Sequence, residues 1–206
     1  MPPFQSASFP LEHYGHNLTE LAKRGTFSPL AGQEVAVSWI FQILLRKNKC
    51  NPVLLDFDEA RRWKIVAEAI RRMATGDAPE PLPTWQVIGL DYEALFADLP
   101  DGISGSGEVK DTPIERLRLI FNAMHQAAGS FVLCVDHFHR LVGGEGNPST
   151  IDASTLLKPT LACREIKLIG TCTLAQYRRY IDRNVPLQRC CQPFLTSDAD
   201  GVPAMV

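Results

Sequence analysis

Phe131-Val132-Leu133-Cys134-Val135-Asp136-His137-Phe138-His139 decides the fold, because five uninterrupted apolar residues stop at an aspartate. A strand with one wet face alternates apolar and polar residues, so an unbroken run signals a strand covered on both faces. Ile166-Lys167-Leu168-Ile169-Gly170, Trp85-Gln86-Val87-Ile88-Gly89-Leu90 and Val53-Leu54-Leu55 are further strand candidates, and Phe194-Leu195-Thr196 is a last short one. Apolar residues at helical spacing lie between them. Val35, Val37, Ile40, Ile43 and Leu44 form a stripe within 33–46, and Ile65, Val66, Ala69, Ile70 and Met73 form one face of 58–75. Leu117, Ile120, Phe121 and Met124 do the same within 114–128, and helices are also expected over 17–24, 152–162 and 174–182. Short apolar strands alternating with helices specify an α/β fold, with a parallel sheet between helices on both faces.

The 206 residues are 45% hydrophobic and 21% charged, with a net charge of −2. This suits one globular domain with a substantial core. It supplies no global field for nucleic acid or an anionic membrane, so neither is expected as a partner. No apolar run approaches the roughly 20 residues of a spanning helix. The N-terminus lacks the basic-then-apolar layout of a signal peptide, and a cytoplasmic protein is expected. Cys50, Cys134, Cys163 and Cys172 are scattered, while Cys190 and Cys191 are adjacent rather than spaced as a ligand pair. They are expected to be ordinary thiols, not a metal site or disulfides. Residues 1–16 contain three prolines and read as a flexible arm, 98–113 as a Gly/Pro-containing loop, and 197–206 as a polar tail after a domain spanning 17–196.

Several phrases, in colinear order, resemble the first ATPase domain of the Clp/ClpB-type AAA+ family. Asn17-Leu18-Thr19-Glu20-Leu21-Ala22 and Ser28-Pro29-Leu30-Ala31-Gly32 resemble its opening, and Asn51-Pro52-Val53-Leu54 the strand entering its Walker A loop. Asp152-Ala153 with Leu156-Leu157-Lys158-Pro159 resembles the helix after its Walker B strand. Ile169-Gly170-Thr171-Cys172-Thr173-Leu174, then Leu187-Gln188-Arg189 and Gln192-Pro193, resemble its sensor-1 and arginine-finger region. The resemblance implies a three-layer, P-loop NTPase-like large subdomain with a five-stranded parallel sheet, here without the family's small helical lid.

The departures from the family pattern bear on function. Where the family has G-x-x-x-x-G-K-T, this chain has Asp56-Phe57-Asp58-Glu59-Ala60-Arg61-Arg62-Trp63. Glycines let backbone N–H groups curl around phosphate oxygens, the lysine neutralises the terminal phosphates, and the hydroxyl ligates magnesium. Asp56 and Arg61 replace the glycines, Arg62 the lysine and Trp63 the threonine. Asp56, Asp58 and Glu59 would repel a triphosphate. Asp58 is expected to cap the following helix, an internal carboxylate in place of phosphate. The alternative is that Asp58 and Glu59 are simply favourable first-turn residues. Either way the loop is unsuited to ATP, and a residual anion site through Arg61, Arg62 and Lys64 is a separate alternative.

Asp136 falls at the family's magnesium-linked aspartate, whereas the catalytic glutamate position holds His137. On a strand end 136 and 138 would face away from 137 and 139, leaving two histidines without a third ligand, so no metal is expected. The resemblance places Leu30 and Ala31 near adenine, Thr173 at sensor-1, and Arg189 as a finger acting in trans on a neighbouring subunit. Arg189 also fits an ordinary solvated or salt-bridging arginine at a helix end. Residues 97–113 lack the aromatic that grips a threaded polypeptide in the family. The expectation is a pseudo-ATPase that binds or regulates a protein, either a Clp-family ATPase or a second copy in a ring, with no cofactor. The alternatives are an ATP- and magnesium-dependent chaperone or unfoldase domain with an unorthodox site, and a decaying gene product.

Overall fold

The computed structural model describes residues 12–97, 112–127, 130–143, 151–162, 166–196 and 204–205. In chain order, β1 (Gly15–Asn17) leads into α1 (Leu18–Lys23), α2 (Glu34–Leu44), β2 (Asn51–Leu55) and α3 (Glu59–Thr75). A 3₁₀ turn at Leu82–Thr84 precedes β3 (Gln86–Leu90), α4 (Tyr92–Phe96), α5 (Pro113–Gln126) and β4 (Phe131–Val135). After α6 (Ser154–Ala162) come β5 (Ile166–Cys172), α7 (Leu174–Gln176), α8 (Val185–Cys190), β6 (Cys191–Leu195) and β7 (Ala204–Met205).

The strands form one sheet in the order β1-β3-β4-β5-β2-β6-β7. The five central strands are parallel, as the apolar runs require. Both edges add a short antiparallel strand, β1 against β3 and β7 against β6. Gly15 and His16, assigned from sequence to the arm, therefore belong to the sheet, as do Ala204 and Met205 of the tail. The rest of the arm, most of the 97–113 loop and most of the tail lie outside the described residues.

Side-chain alternation along the strands feeds two cores. Val53, Leu55, Leu133, Val135 and Leu168 face α5, α6 and α8, with Leu117, Phe121, Leu157 and Leu187 on that side. Leu54, Val132, Cys134, Ile169 and Phe194 face α1, α2 and α3, with Leu18, Ile40, Ile65 and Ile70 opposite. This is the three-layer arrangement expected of a parallel sheet buried on both faces.

Local signals set the helix ends. The Asp58 side chain accepts from the Arg61 N–H at the start of α3, and Gly76, at φ 81°, closes its C-terminus in the left-handed conformation. Thr112 caps α5, whose first residue is Pro113. The expected helix over 174–182 is instead short α7 followed by a π turn at Tyr177–Ile181. Two short helices, α4 and α8, had no periodic signature.

Buried polar groups tie layers together. Asn51 donates to the Cys190 carbonyl at 2.9 Å and accepts from the Leu168 N–H at 2.8 Å, linking β2, β5 and the end of α8. Arg116 of α5, 3% exposed, donates to the Ala94, Leu95 and Ala97 carbonyls at the C-terminal end of α4.

Candidate functional site

The carboxyl ends of four parallel strands bring polar residues to one rim. Asp56 follows β2, Asp136 follows β4, Thr171 and Thr173 lie at the end of β5, and Thr196 follows β6. In open α/β sheets this rim is where ligands bind.

Asp56 is the hub of the β2–α3 loop. Its carboxylate accepts from the Asp58 N–H at 2.9 Å and from the Thr196 hydroxyl, and lies 3.5 Å from the Arg61 guanidinium. Asp58 accepts from the Arg61 N–H at 3.1 Å, occupying the helix-start position to which an anion is drawn. Arg62, 2% exposed, turns its guanidinium inward and donates through Nη1 to the Asp56 carbonyl, while its buried Nε has no partner. Phe57 at the loop tip is 84% exposed. Trp63 is exposed on the first turns of α3 and meets Phe27 edge-on at 6.3 Å.

Across the rim, one Asp136 oxygen accepts from the Thr171 hydroxyl and from the His137 N–H at 2.9 Å. His137 has φ 48° and ψ 46°, a left-handed conformation uncommon for a residue with a side chain. The buried Tyr92 hydroxyl donates to the His137 carbonyl at 3.3 Å, and burial pushes its own pKa well up. Arg140 lies over the Tyr92 ring at 4.3 Å.

Strand alternation stops at Val135, so it does not separate these side chains as expected from sequence. His137 Nε2 is 3.6 Å from Asp136 Oδ2 and 3.4 Å from Glu59 Oε1 of α3. Glu59, Asp136 and His137 thus offer three potential metal-ligating atoms within 4.8 Å of one another. His139 offers no atom to this group, but its ring meets His137 edge-on at 6.0 Å, as the sequence paired them, and stacks on Tyr180 at 6.0 Å. Burial, then the nearby His137, Arg140 and Arg62 charges, hold its imidazole pKa down at about 4.

The remaining candidates are distributed unevenly. Thr173 sits at the rim as the N-cap of α7, in a reciprocal capping box with Gln176. Leu30 is half-buried and donates its N–H to Glu68 of α3 at 3.3 Å, while Ala31 is exposed. Glu68, 1% exposed, is gripped by Arg71 at 2.8 and 2.9 Å and by Arg72 at 2.7 Å, which bring its pKa to about 2 against the cost of burial. Arg189 is exposed in the last turn of α8. That turn leads into Cys191, which pairs with Asn51 at the amino end of β2. Five residues of strand, about 16 Å, separate this end of β2 from Asp56, so Arg189 stands outside its own chain's rim. Sequence reading missed Thr171, Thr196 and Tyr92. A threonine near the end of a mostly apolar strand, as at Thr171, was the available signal.

A parallel sheet with this strand order, carrying its polar rim where β2 passes into α3, defines a P-loop NTPase-like α/β domain. No family model matches the chain. It is 36% identical over 179 residues to the chaperone protein ClpB of Gloeobacter violaceus, covering 87% of this chain and 20% of that protein. It is 35% identical over 189 residues to the mitochondrial ClpB4 of Arabidopsis thaliana, covering 89% and 19%. Among solved structures it is similar to a closed-state reconstruction of Hsp104 with ATPγS and FITC casein, with a TM-score of 0.75 and 26% identity over 91% of this chain and 31% of that one. A Saccharomyces cerevisiae Hsp104–ADP complex superposes with a TM-score of 0.74, at 26% identity over 91% of this chain and 30% of that one. The chain belongs to the Clp/ClpB AAA+ family, and it spans about a fifth of the length of those ClpB relatives. No helix among the described residues is long and apolar enough to cross a membrane.

Proposed function

We propose that this chain is a pseudo-ATPase of the Clp/ClpB family that works as a protein-binding or regulatory module, not as a nucleotide-driven motor. The observation that carries the reading is the β2–α3 loop, where the chain's own carboxylates take the N–H groups at the start of α3. Asp58 serves the Arg61 N–H, Asp56 takes the Asp58 N–H and the Thr196 hydroxyl, and Arg62 is turned inward onto the Asp56 carbonyl with its Nε unpartnered. A triphosphate would have to displace these contacts and approach the Asp56 carboxylate, whose side chain is 9% exposed. Two unit negative charges about 4 Å apart repel by about 4 kcal/mol at an effective dielectric near 20. His137 stands where the family has its catalytic glutamate, and a base without a positioned nucleotide has nothing to activate.

The partner we infer is another Clp-family ATPase or a second copy of this chain, met through ring-forming faces. The Hsp104 relatives were solved with ATPγS and casein or with ADP, which makes a protein-handling assembly the natural setting. The exposure of Arg189, away from its own rim, supports a role on a neighbour. A cytoplasmic location is part of the same proposal. A second reading, an ATP-hydrolysing chaperone domain with an unorthodox site, draws on Asp136 and Thr171 still being joined at the rim.

Steady-state ATP hydrolysis and co-purification with an active Clp-family ATPase test the proposal together. The expected result is no turnover by the purified chain, with association that weakens on Arg189→Ala. Magnesium-dependent turnover, or failure to associate with any such ATPase or with itself, would overturn it.

A further inference from the structure

We propose that Glu59, Asp136 and His137 form a site for a divalent transition cation, with zinc the best match, held directly by protein ligands and without nucleotide. The separations support this. His137 Nε2 lies 3.4 Å from Glu59 Oε1 and 3.6 Å from Asp136 Oδ2, longer than the roughly 2.7–3.2 Å of a good hydrogen bond. A tetrahedral zinc with bonds of about 2.0–2.1 Å places its ligand atoms about 3.3–3.4 Å apart. Both separations from His137 are close to that spacing, and all three donor atoms lie within 4.8 Å of one another.

The donor set fits the same cation. Two carboxylate oxygens and one imidazole nitrogen suit zinc, whereas magnesium favours an octahedron of oxygens with several waters retained. Three protein ligands leave a fourth position for water or an incoming group. All three side chains are open to solvent, Glu59 at 62% and both His137 and Asp136 at 31%, so the ion has a way in.

Surrounding contacts orient the ligands, as they do around protein metal centres. Thr171, buried in β5, and the His137 N–H both donate to Asp136 Oδ1, leaving Oδ2 for the ion. Tyr92 holds the left-handed His137 through its carbonyl. Glu59 is the first residue of α3, whose start is fixed by Asp58. The ligands thus come from the ends of two rigid elements.

The test is calorimetric titration of the chelator-stripped full chain with zinc in nucleotide-free buffer, with cobalt substitution followed by visible absorption to read the geometry. One zinc per chain is expected, with a tetrahedral cobalt spectrum and a raised Tm. Glu59→Gln and His137→Ala should each weaken zinc binding at least about tenfold, the lower end of what even an outer-shell loss costs. Cys190→Ser and His125→Ala should leave binding unchanged. Glu59 is exposed, so its variant folds and keeps the comparison valid. No stoichiometric zinc binding would overturn the site, as would binding that survives both ligand variants or disappears with Cys190→Ser. Nucleotide is absent throughout, so the outcome is independent of whether the chain binds ATP.

Discussion

Replacing Glu68 with glutamine should remove much of what fastens the Leu30 segment to α3. Glu68 is almost fully buried and accepts three hydrogen bonds from Arg71 and Arg72, with a fourth from the Leu30 N–H. These hold its pKa near 2 against an ordinary value of 4.5. At about 1.4 kcal/mol per pH unit, the ionised carboxylate contributes about 3 kcal/mol of stability. The folded-state pKa is the lower one, so that contribution is fully present above about pH 4.5 and is lost as pH falls towards 2. Glutamine keeps the shape but neither the charge nor the two-oxygen grip on both arginines. Urea denaturation at pH 7 should show Glu68→Gln destabilised by about 2–3 kcal/mol. The gap between the two proteins should close as pH falls from 5 to 2. A loss below about 1 kcal/mol at pH 7, the range of an exposed ion pair, or a gap independent of pH would refute the reasoning.

Other expectations follow from single contacts. Asp58→Ala removes the N-cap of α3 and should cost about 1 kcal/mol in chemical denaturation, whereas Asp58→Asn should cost much less. Asn51→Leu strands the buried Leu168 N–H and the Cys190 carbonyl between β2 and its neighbours, and should cost about 2–3 kcal/mol. Arg189→Ala should change stability by no more than about 0.5 kcal/mol while weakening co-purification with an active Clp-family ATPase, which separates a contact in trans from a structural role.

Much of the scaffold was legible because its physics is local. Phe131–Val135 and Ile166–Gly170 announced doubly covered strands, and Asp58 was read as the cap that starts α3. The antiparallel edges were not legible, since three residues of β1 and two of β7 carry no period and exist only through their partners. The short α8 likewise offered too few turns for a stripe to repeat. At the rim, the sequence pointed to Asp136 and the acidic β2–α3 loop, and Asp58 does cap α3. It misjudged His137, because strand alternation was extended past Val135 into a left-handed turn. The approach of Glu59 to His137 depends on how α3 lies beside β4, which no local pattern encodes. Arg62 entered the sequence reading as the residue in the lysine's place and as one member of an alternative anion site, and only the packed structure turns it inward onto the Asp56 carbonyl.

The central claim is that Asp56 and Asp58 occupy the start of α3 in this loop and leave no place for a triphosphate. Isothermal titration of the purified chain with ATP and ADP in magnesium buffer tests it most directly. The account predicts no binding tighter than about 100 μM, equivalent to about −5.5 kcal/mol, for either nucleotide. Saturable, magnesium-dependent ATP binding below that concentration would contradict it.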